Sequence, residues 1–382
     1  MDKQVIGKNL RLLRNAKGLR QIQTAELAGI SRLSYRNIEN GKSIPKVSTL
    51  QNIASCLGVK VQDLLVPVNT LTKARFRALK KMNNRESILL DVTKWLSDYN
   101  FLEESLNDRK EYRFKDLAAD LSSIPVGGNR AKLAAEKARQ LLKLDSKEPI
   151  HDITGLLESA GIKLYPIALA SDGFFGLSVA EEDGGPAVIV NVWERISVER
   201  WIFSAAHELG HLILHMDSYN VEETLEDKEQ EMEANVFASY FLMPEEAFLS
   251  EWEETYGLPF LDRVLKVKRI FQVSYKTVLY RLSENLGNSI WGKFQNVYKQ
   301  KTGRTLKGAD EPEGLSADKF HQTPERLRSQ EPESLSPLHF IENRLYKLVR
   351  TAIDNELISL NRGAEILRLN TKTMREVASS WV

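Results

Sequence analysis

The sequence contains one cysteine, Cys56, among 382 residues. A single thiol excludes an internal disulfide and a zinc site built from several thiolates, and it is typical of a reducing compartment. The sequence also lacks an apolar segment at its N-terminal end and any apolar run long enough to cross a membrane. These absences predict a cytoplasmic protein without a membrane partner. Any metal site is expected to use histidine and carboxylate ligands.

Charge is distributed unevenly, although the formal net charge of the whole chain is only +1. Residues 1–66 carry 11 Lys and Arg against 4 Asp and Glu, which is a net charge of +7. Residues 217–254 carry 13 Asp and Glu against the single Lys228, which is a net charge of −12. The first segment can approach a polyanion and the second cannot, so nucleic acid is expected to bind at the N-terminal end.

Apolar periodicity predicts a mainly α protein with one small sheet. Five short helices are expected in residues 1–66, over 7–16, 21–29, 31–40, 48–57 and near 62, with left-handed ends at Gly18, Gly29, Gly41 and Gly58. Residues 67–148 are expected to form a helical connecting region, with helices over 85–106 and 131–142. At the C-terminal end of the chain, a linker rich in proline and charge is expected over 288–340, followed by a helical unit over 341–382.

Residues 149–287 combine strand and helix patterns. Short β-like runs at 162–165, 175–179 and 187–191, separated by glycine-containing turns, predict the sheet, and the last of these runs is interpreted as an edge strand. Helices are then expected over 198–215, 228–241, 245–256, 260–271 and 275–286.

The spacing around Gly29 indicates a helix-turn-helix. A short helix that ends at Gly29 is followed by Ile30-Ser31 and a second short helix, which can then project into a major groove. About sixty residues of this region resemble the Cro/repressor-like family of helix-turn-helix domains. The matching residues are Gln21, Glu26-Leu27-Ala28, Ile30-Ser31, Ile38-Glu39-Asn40-Gly41, Pro45, Leu50, Ile53-Ala54, Leu57-Gly58-Val59 and Leu64-Leu65.

This resemblance implies a double-stranded DNA operator as partner and a recognition helix that begins at Ser31. Base contacts are expected from Gln21, Arg32, Leu33, Ser34 and Asn37, and phosphate contacts from Ser31, Lys42 and Arg20. The resemblance also implies an internal ion pair between Arg14 and Glu39. Arg20 departs from the family, which more often has Ser or Thr as the helix cap at that position. The alternative is a helical protein-interaction module with a basic, solvated face.

His207-Glu208-Leu209-Gly210-His211 is the second motif that carries chemistry. Two histidines four residues apart leave the same face of a helix and can share one metal ion. Glu208 is then close enough to the open coordination position to take a proton from a bound water. Isolated matches to so short a motif arise by chance, but this one lies in an apolar helix and a core-facing glutamate follows on the next helix.

A third ligand is required, because catalytic zinc keeps three protein ligands and one open position. Asp217 falls six residues after His211, a position that one class of enzymes uses together with a glycine where this chain has Leu214. Glu233 shares the apolar side of its predicted helix, and a buried carboxylate needs a partner. The sequence therefore favours Glu233, with Glu229, one turn earlier, as the alternative.

These residues resemble the ImmA/IrrE family of metallopeptidases. The matching stretches are Glu199-Arg200, Phe203, Ala206-His207-Glu208-Leu209-Gly210-His211, Leu214-His215, Glu233-Ala234-Asn235, Phe237-Ala238 and Leu242-Met243-Pro244. The resemblance implies Zn²⁺ held by His207, His211 and Glu233, Glu208 as the general base, and repressor proteins as substrates. Ile202 departs from the family, which frequently has Arg there.

The fold class expected is mainly α, with an N-terminal five-helix DNA-binding domain, an α+β zincin-like peptidase domain and a C-terminal helical unit. That last unit resembles a helix-turn-helix over 358–374, although a packing or dimer role is favoured over DNA binding. The hypothesis is a transcriptional regulator that cleaves a partner, a small helix-turn-helix repressor, or itself. The alternatives are a regulator whose peptidase fold is a sensor without proteolysis, and a phage or toxin-antitoxin repressor that acts by DNA binding alone.

Overall fold

The structure is a computed structural model that describes residues 2–66, 71–78, 85–121, 123–171, 173–221, 227–308, 310–313 and 343–381. Most of the predicted linker, residue 309 and residues 314–340, lies outside the described residues, as do the first two residues of the predicted C-terminal unit. The chain forms two compact units. The first comprises residues 1–72, 80–106 and 352–382, and the second comprises residues 73–79 and 107–351. No helix within the described ranges is long and apolar enough to cross a membrane.

The first unit begins with the five predicted helices. They are α1 (Lys3–Ala16), α2 (Gln21–Leu27), α3 (Arg32–Glu39), α4 (Val47–Leu57) and α5 (Val61–Leu65). Their apolar faces meet in one core, which includes Leu10, Tyr35, Leu50 and Ile53. The four glycines that were predicted to end helices all have a positive φ, as a left-handed helix end requires.

Three further helices complete the first unit, and the end of a fourth enters it from the second. They are α6 (Arg85–Ser105), α17 (Leu360–Ile366) and α18 (Thr371–Ser379), while α16 (Asn343–Asp354) ends in this unit. α6 packs against both α1 and α17. Arg362 of α17 pairs with Asp98 of α6 at 2.5 Å, and Arg368 pairs with Asp91 at 2.6 Å.

The second unit contains a four-stranded sheet in the order β1-β3-β4-β2. Its strands are β1 (Ala74–Ala78), β2 (Lys163–Ile167), β3 (Phe174–Val179) and β4 (Ala187–Asn191). β3 pairs antiparallel with β1 and β4, and β4 pairs parallel with β2. Two expectations are corrected. The region 67–148, expected as a helical connecting region, also supplies β1 to the sheet. β4 is not an edge strand, because it is paired with β3 on one side and with β2 on the other.

Helices surround this sheet. They are α7 (Lys115–Leu121), α8 (Gly128–Leu141), α9 (Ile153–Ser159), α10 (Val198–Leu214), α11 (Lys228–Leu242), α12 (Glu245–Glu254), α13 (Phe260–Phe271), α14 (Tyr275–Leu286) and α15 (Ser289–Thr302). The last of these lies in the segment predicted as a linker, where Ile290 and Phe294 bury one face. That prediction is wrong for residues 289–302.

α10 is the central element of the second unit. It packs against β3 and β4, and also against α8 and α11, so nearly all of its side chains are buried. Gly210 permits the close approach of α11, because a Cβ at this position would lie 2.9 Å from Cδ1 of Phe237. The apolar surroundings of the predicted motif therefore come from neighbours on opposite sides of one helix.

Candidate metal centre and nucleic-acid interface

His207 and His211 of α10 point their Nε2 atoms at one another, 2.9 Å apart. Glu231 of α11 completes a group of three, with carboxylate oxygens 3.2 Å from Nε2 of His207 and 3.1 Å from Nε2 of His211. Both imidazoles are buried, while the Glu231 side chain is 15% exposed. The potential ligand atoms of these three residues all lie within 4.8 Å of one another.

The outer ring nitrogens of both histidines are held by hydrogen bonds. Nδ1 of His207 lies 3.0 Å from Oδ1 of Asn235, one turn after Glu231 on α11. Because this amide oxygen can only accept, Nδ1 of His207 carries the proton and Nε2 keeps a lone pair. The ring is therefore oriented with a free lone pair towards His211 and Glu231.

A longer buried chain orients His211. Its Nδ1 lies 2.9 Å from Nδ1 of His215, whose Nε2 lies 2.8 Å from Oε2 of Glu233. Nε of Arg130 and the backbone N–H of Gly127 donate to Oε1 of Glu233, at 2.8 and 3.0 Å. Burial opposes the ionisation of Glu233, but these hydrogen bonds hold the pKa of its carboxyl below the usual value.

The same chain fixes the tautomers of both histidines. Burial lowers the pKa of His211 and of His215, so each ring is neutral near pH 7 and carries one N–H. Since Glu233 is an acceptor, Nε2 of His215 donates to it and Nδ1 of His215 accepts. Nδ1 of His211 must then donate, which leaves the lone pair of its Nε2 pointing at His207 and Glu231.

Glu233, the third ligand expected from the sequence, does not lie with the two histidines. Its carboxylate faces α8 and contacts His215 and Arg130, as described above. Glu231 and Glu233 are two residues apart and therefore leave α11 on nearly opposite sides. Both sides are covered, one by α10 and the other by α8, so the apolar pattern could not distinguish them. Asp217 and Glu229, the other candidates, are exposed and lie outside the group.

The first strand of the sheet also contacts Glu231, which the sequence did not indicate. Arg75 of β1 pairs with Oε1 of Glu231 at 3.1 Å and donates to Oε1 of Gln230. In the sheet register Arg75 lies opposite Ser178 of β3, so both residues belong to one face of the sheet. That face meets the metal-site residues of α10 and α11.

Ser178 connects this face to Glu208. Its Oγ donates to Oε2 of Glu208 at 2.7 Å, and the hydroxyl of Tyr219 donates to the same Oγ at 2.7 Å. Gly176 leaves room for the carboxylate, because a Cβ at this position would lie 3.0 Å from Oε1 of Glu208. Glu208 is thus fixed against β3, and it follows His207 directly in the chain.

A cavity of about 490 Å³ adjoins the metal-site residues. Glu231 and Asn235 form part of its wall, and Arg200, Lys276 and Trp291 line other parts. A cleft of this size, with apolar walls and a few convergent charges, is typical of a binding site.

The donor set fits a divalent metal ion such as zinc. Bond lengths of about 2.0–2.1 Å place two ligands of a tetrahedral ion roughly 3.3 Å apart, close to the separations of 2.9–3.2 Å found here. Two nitrogen lone pairs and a carboxylate converge, and a cation removes the repulsion between them. The hydrogen bonds to both Nδ1 atoms are the outer contacts that metal-bound histidines have.

The helix-turn-helix surface is formed by α2 and α3. Arg32, Leu33 and Ser34 are exposed at the start of α3, and Lys42 is exposed beyond its end. Ser31 is the helix cap, since its Oγ accepts from the backbone N–H of Ser34 at 3.1 Å. Arg36, which the sequence reasoning omitted, is exposed on the same helix.

Gln21 and Asn37 are half-buried at the edge of this surface. Nε2 of Gln21 donates to Glu39 at 2.9 Å, and Glu39 forms the expected ion pair with Arg14 at 2.8 Å. Arg20 provides no side-chain cap to α2; instead, its backbone N–H donates to Oε1 of Gln23 at 2.8 Å. The departure from the family at Arg20 therefore leaves the start of α2 capped.

Comparison with known proteins gives two matches to family models. Residues 10–64 match a helix-turn-helix family, and residues 158–283 match the Peptidase_M78 family, described as an IrrE N-terminal-like domain. Both matches contain the sites described above. The second includes Glu231 and Asn235 as well as the motif of α10.

Individual relatives resemble part of the chain. An HTH-type transcriptional regulator, YonR, derived from the SPbeta prophage of Bacillus subtilis (strain 168), is 30% identical over 94 residues, 25% of this chain and 83% of that protein. The immunity repressor protein of Bacillus phage phi105 is 35% identical over 68 residues, 18% of this chain and 46% of that protein.

A solved structure, the apo form of the competence regulator ComR from Streptococcus vestibularis, is 12% identical, covers 78% of this chain and 80% of that chain, and has a TM-score of 0.17. That score is too low to support an argument about the fold. The two family matches and the relatives do support an argument about the family. The chain belongs to the family of HTH-type transcriptional regulators, and it joins the helix-turn-helix domain to an IrrE-like Peptidase_M78 domain.

Proposed function

We propose that the protein binds a double-stranded DNA operator through α3 and carries a zinc-dependent endopeptidase in its second unit. The proposed ligands are His207, His211 and Glu231, and the proposed general base is Glu208. The observation that carries this proposal is the convergence of three potential ligand residues beside a cavity, two of them on the helix that also holds Glu208 and the third on α11.

When bound, zinc supplies a Lewis acid that polarises a peptide carbonyl and lowers the pKa of a coordinated water. The residues of the chain supply orientation and proton transfer. Asn235 and His215 fix the two imidazoles with their lone pairs inwards. Ser178 holds one oxygen of the Glu208 carboxylate, which accepts a proton during attack on the peptide and delivers it to the leaving amine.

The cavity is the proposed cleft for the peptide, because Glu231 lies in its wall. The proposed substrate is a small helix-turn-helix repressor, or the chain itself, in response to stress or to a mobile element. The resemblance to the ImmA/IrrE family supports the repressor substrate. The peptide is not held by strand addition at β4, which was expected to be an edge strand, because β4 is paired on both sides.

The test compares wild type with Glu208→Gln and with Glu229→Gln, a matched control at an exposed position of α11. The genes on either side are sequenced to find a small helix-turn-helix repressor. Each protein is then produced together with that repressor, and mass spectrometry follows the lengths of both proteins under stress. Glu208→Gln is expected to keep about one zinc per chain and operator binding. Cleavage is expected to fall about 10²–10⁴-fold, because the proton acceptor is lost.

Glu229→Gln is expected to cleave like wild type. If wild type leaves the repressor and itself intact in every condition while it still controls transcription, the peptidase proposal fails. A sensor or interaction role for the second unit would then replace it.

A further inference from the structure

The C-terminal pair α17 and α18 has the same spacing as the DNA-binding pair α2 and α3. α2 and α17 are both seven residues long, and four residues separate each of them from the next helix. The second helix therefore starts 11 residues after the first in both pairs, at residues 32 and 371. Each residue of α2 and α3 therefore has a counterpart 339 positions later in α17 and α18.

The turns of the two pairs also correspond residue by residue. Gly29 and Arg368 occupy the same place in their turns, and both are left-handed, with φ of 68° and 57°. Ser31 caps α3 by accepting from the backbone N–H three residues later at 3.1 Å, and Asn370 caps α18 in the same way at 2.9 Å. A left-handed residue and a side-chain cap at equal positions are strong constraints on turn geometry.

Packing inside the two pairs is equivalent as well. Ala25 of α2 and Ala364 of α17 are both buried where the helices cross. Tyr35 of α3 and Met374 of α18, at the same distance from the start of each pair, are both completely buried. These equalities of sequence position, backbone and burial identify α17 and α18 as a second helix-turn-helix.

The exposed charged residues of α18 are Lys372, Arg375 and Glu376, which give a net charge of +1, and Thr371 is exposed at the start of the helix. Arg375 takes the place that Arg36 has in α3. Among the residues that the structure describes, Lys372 and Arg375 form no ion pair, whereas Arg362 and Arg368 are paired with α6. No large apolar side chain of α18 is exposed in the described part of the chain. This composition favours nucleic acid over a protein partner.

We propose that α18 is a second recognition helix, which enters the major groove of duplex DNA. Both helix-turn-helix elements belong to the first unit, where α6 packs against α1 and α17 and where Lys60, which precedes α5, pairs with Glu365 of α17. One chain then contacts two stretches of one duplex, and its operator has two separate parts for each protein copy.

The test begins with selection from a pool of random 40-base-pair duplexes, performed with wild type and with the double variant Lys372→Ala, Arg375→Ala. Wild type is expected to enrich a motif with two parts at a fixed spacing. The double variant is expected to enrich only the part read by α3. A matched control, Lys266→Ala with Lys299→Ala, removes two exposed cations of the second unit and is expected to behave like wild type.

Affinity for the duplex selected by wild type is then measured at several salt concentrations. The double variant is expected to bind at least about tenfold more weakly. Its slope of log K against log salt is expected to be smaller by about 1.8, because two phosphate contacts are lost. On a duplex in which the second part is scrambled, the difference in affinity between wild type and the double variant is expected to be smaller, because base contacts by α18 are lost in both proteins and only the sequence-independent phosphate contacts still separate them.

Two results would overturn the proposal. One is a motif with a single part from wild type, a result that does not depend on the folding of any variant. The other is unchanged DNA binding of Lys372→Ala, Arg375→Ala together with a changed oligomer mass, because the face of α18 would then contact protein. Operator binding by α3 can survive either result, so the proposed function is tested separately.

Discussion

Replacement of Glu231 and of Glu233 by glutamine should have different effects on zinc binding, because Glu231 is the proposed ligand and Glu233 only positions a ligand. Binding of zinc by four ligands contributes about 10–16 kcal/mol, so one ligand accounts for roughly 3–4 kcal/mol. Glu231→Gln is therefore expected to weaken zinc binding several hundredfold. Glu233→Gln changes only the hydrogen-bonded chain behind His211, and losses of about 10–100-fold are typical of such outer contacts.

In the absence of metal, the two variants should lose stability in the opposite order, with the larger loss for Glu233→Gln. The Glu233 side chain is completely buried against Arg130, which is 11% exposed, and removal of one partner from a buried ion pair costs about 3–5 kcal/mol. Glu233→Gln is expected to lower the free energy of unfolding by about 3 kcal/mol, since glutamine keeps part of the hydrogen bonding. Glu231→Gln is expected to cost about 1 kcal/mol, because Arg75 retains its bond to Gln230.

Zinc affinity is measured by competition with a chromophoric chelator, and stability by urea unfolding in excess chelator. Glu229→Gln, on the same helix but exposed, is the control for both measurements. If Glu233→Gln loses zinc several hundredfold and Glu231→Gln retains it, the assignment of the third ligand to Glu231 is refuted.

Burial raises the pKa of Glu158 to about 7, which the backbone N–H of Arg344 only partly offsets. The ordinary pKa of this carboxyl, which applies in the unfolded chain, is 4.5. The free energy of unfolding is therefore highest below pH 4.5 and falls as the pH rises to about 7. Relative to wild type, Glu158→Gln should raise the free energy of unfolding by about 3 kcal/mol at pH 8 but change it little at pH 4.5. Urea unfolding at both pH values checks this, and an equal effect at both would contradict it. In the first unit, Arg32→Ala and Asn37→Ala should relax sequence preference, whereas Lys42→Ala should weaken all duplexes alike and reduce the salt slope by about 0.9. Binding to specific and random duplexes at several salt concentrations tests this, and equal behaviour of all three variants would refute the assignment of α3.

Helices with a strong apolar period could be predicted from the sequence. α13 and α14 have the bounds expected, and α10 ends within one residue of its expected end. β1 could not be predicted, because the run Ala-Arg-Phe-Arg-Ala is short and its place in the sheet depends on β3, about a hundred residues later. A contact at that separation leaves no local pattern.

The two histidines of the group could be identified from their spacing alone, but its third member, Glu231, could not. α11 is covered on two sides, so burial gave no preference between Glu231 and Glu233. A spacing signal did exist: Asn235 lies four residues after Glu231 and therefore on the same face, where it contacts His207. α15 also had a signal, the helical spacing of Ile290 and Phe294, which the surrounding charged residues masked.

The path of the chain between the two units has a consequence for how they can be divided. The second unit takes β1, with Arg75, from a stretch that interrupts the first unit, and the first unit takes α17 and α18 from beyond the second. A fragment that began at residue 149 would lack both Arg75, which touches Glu231, and Arg130, which holds Glu233. A single cut anywhere in the polypeptide therefore releases neither unit intact.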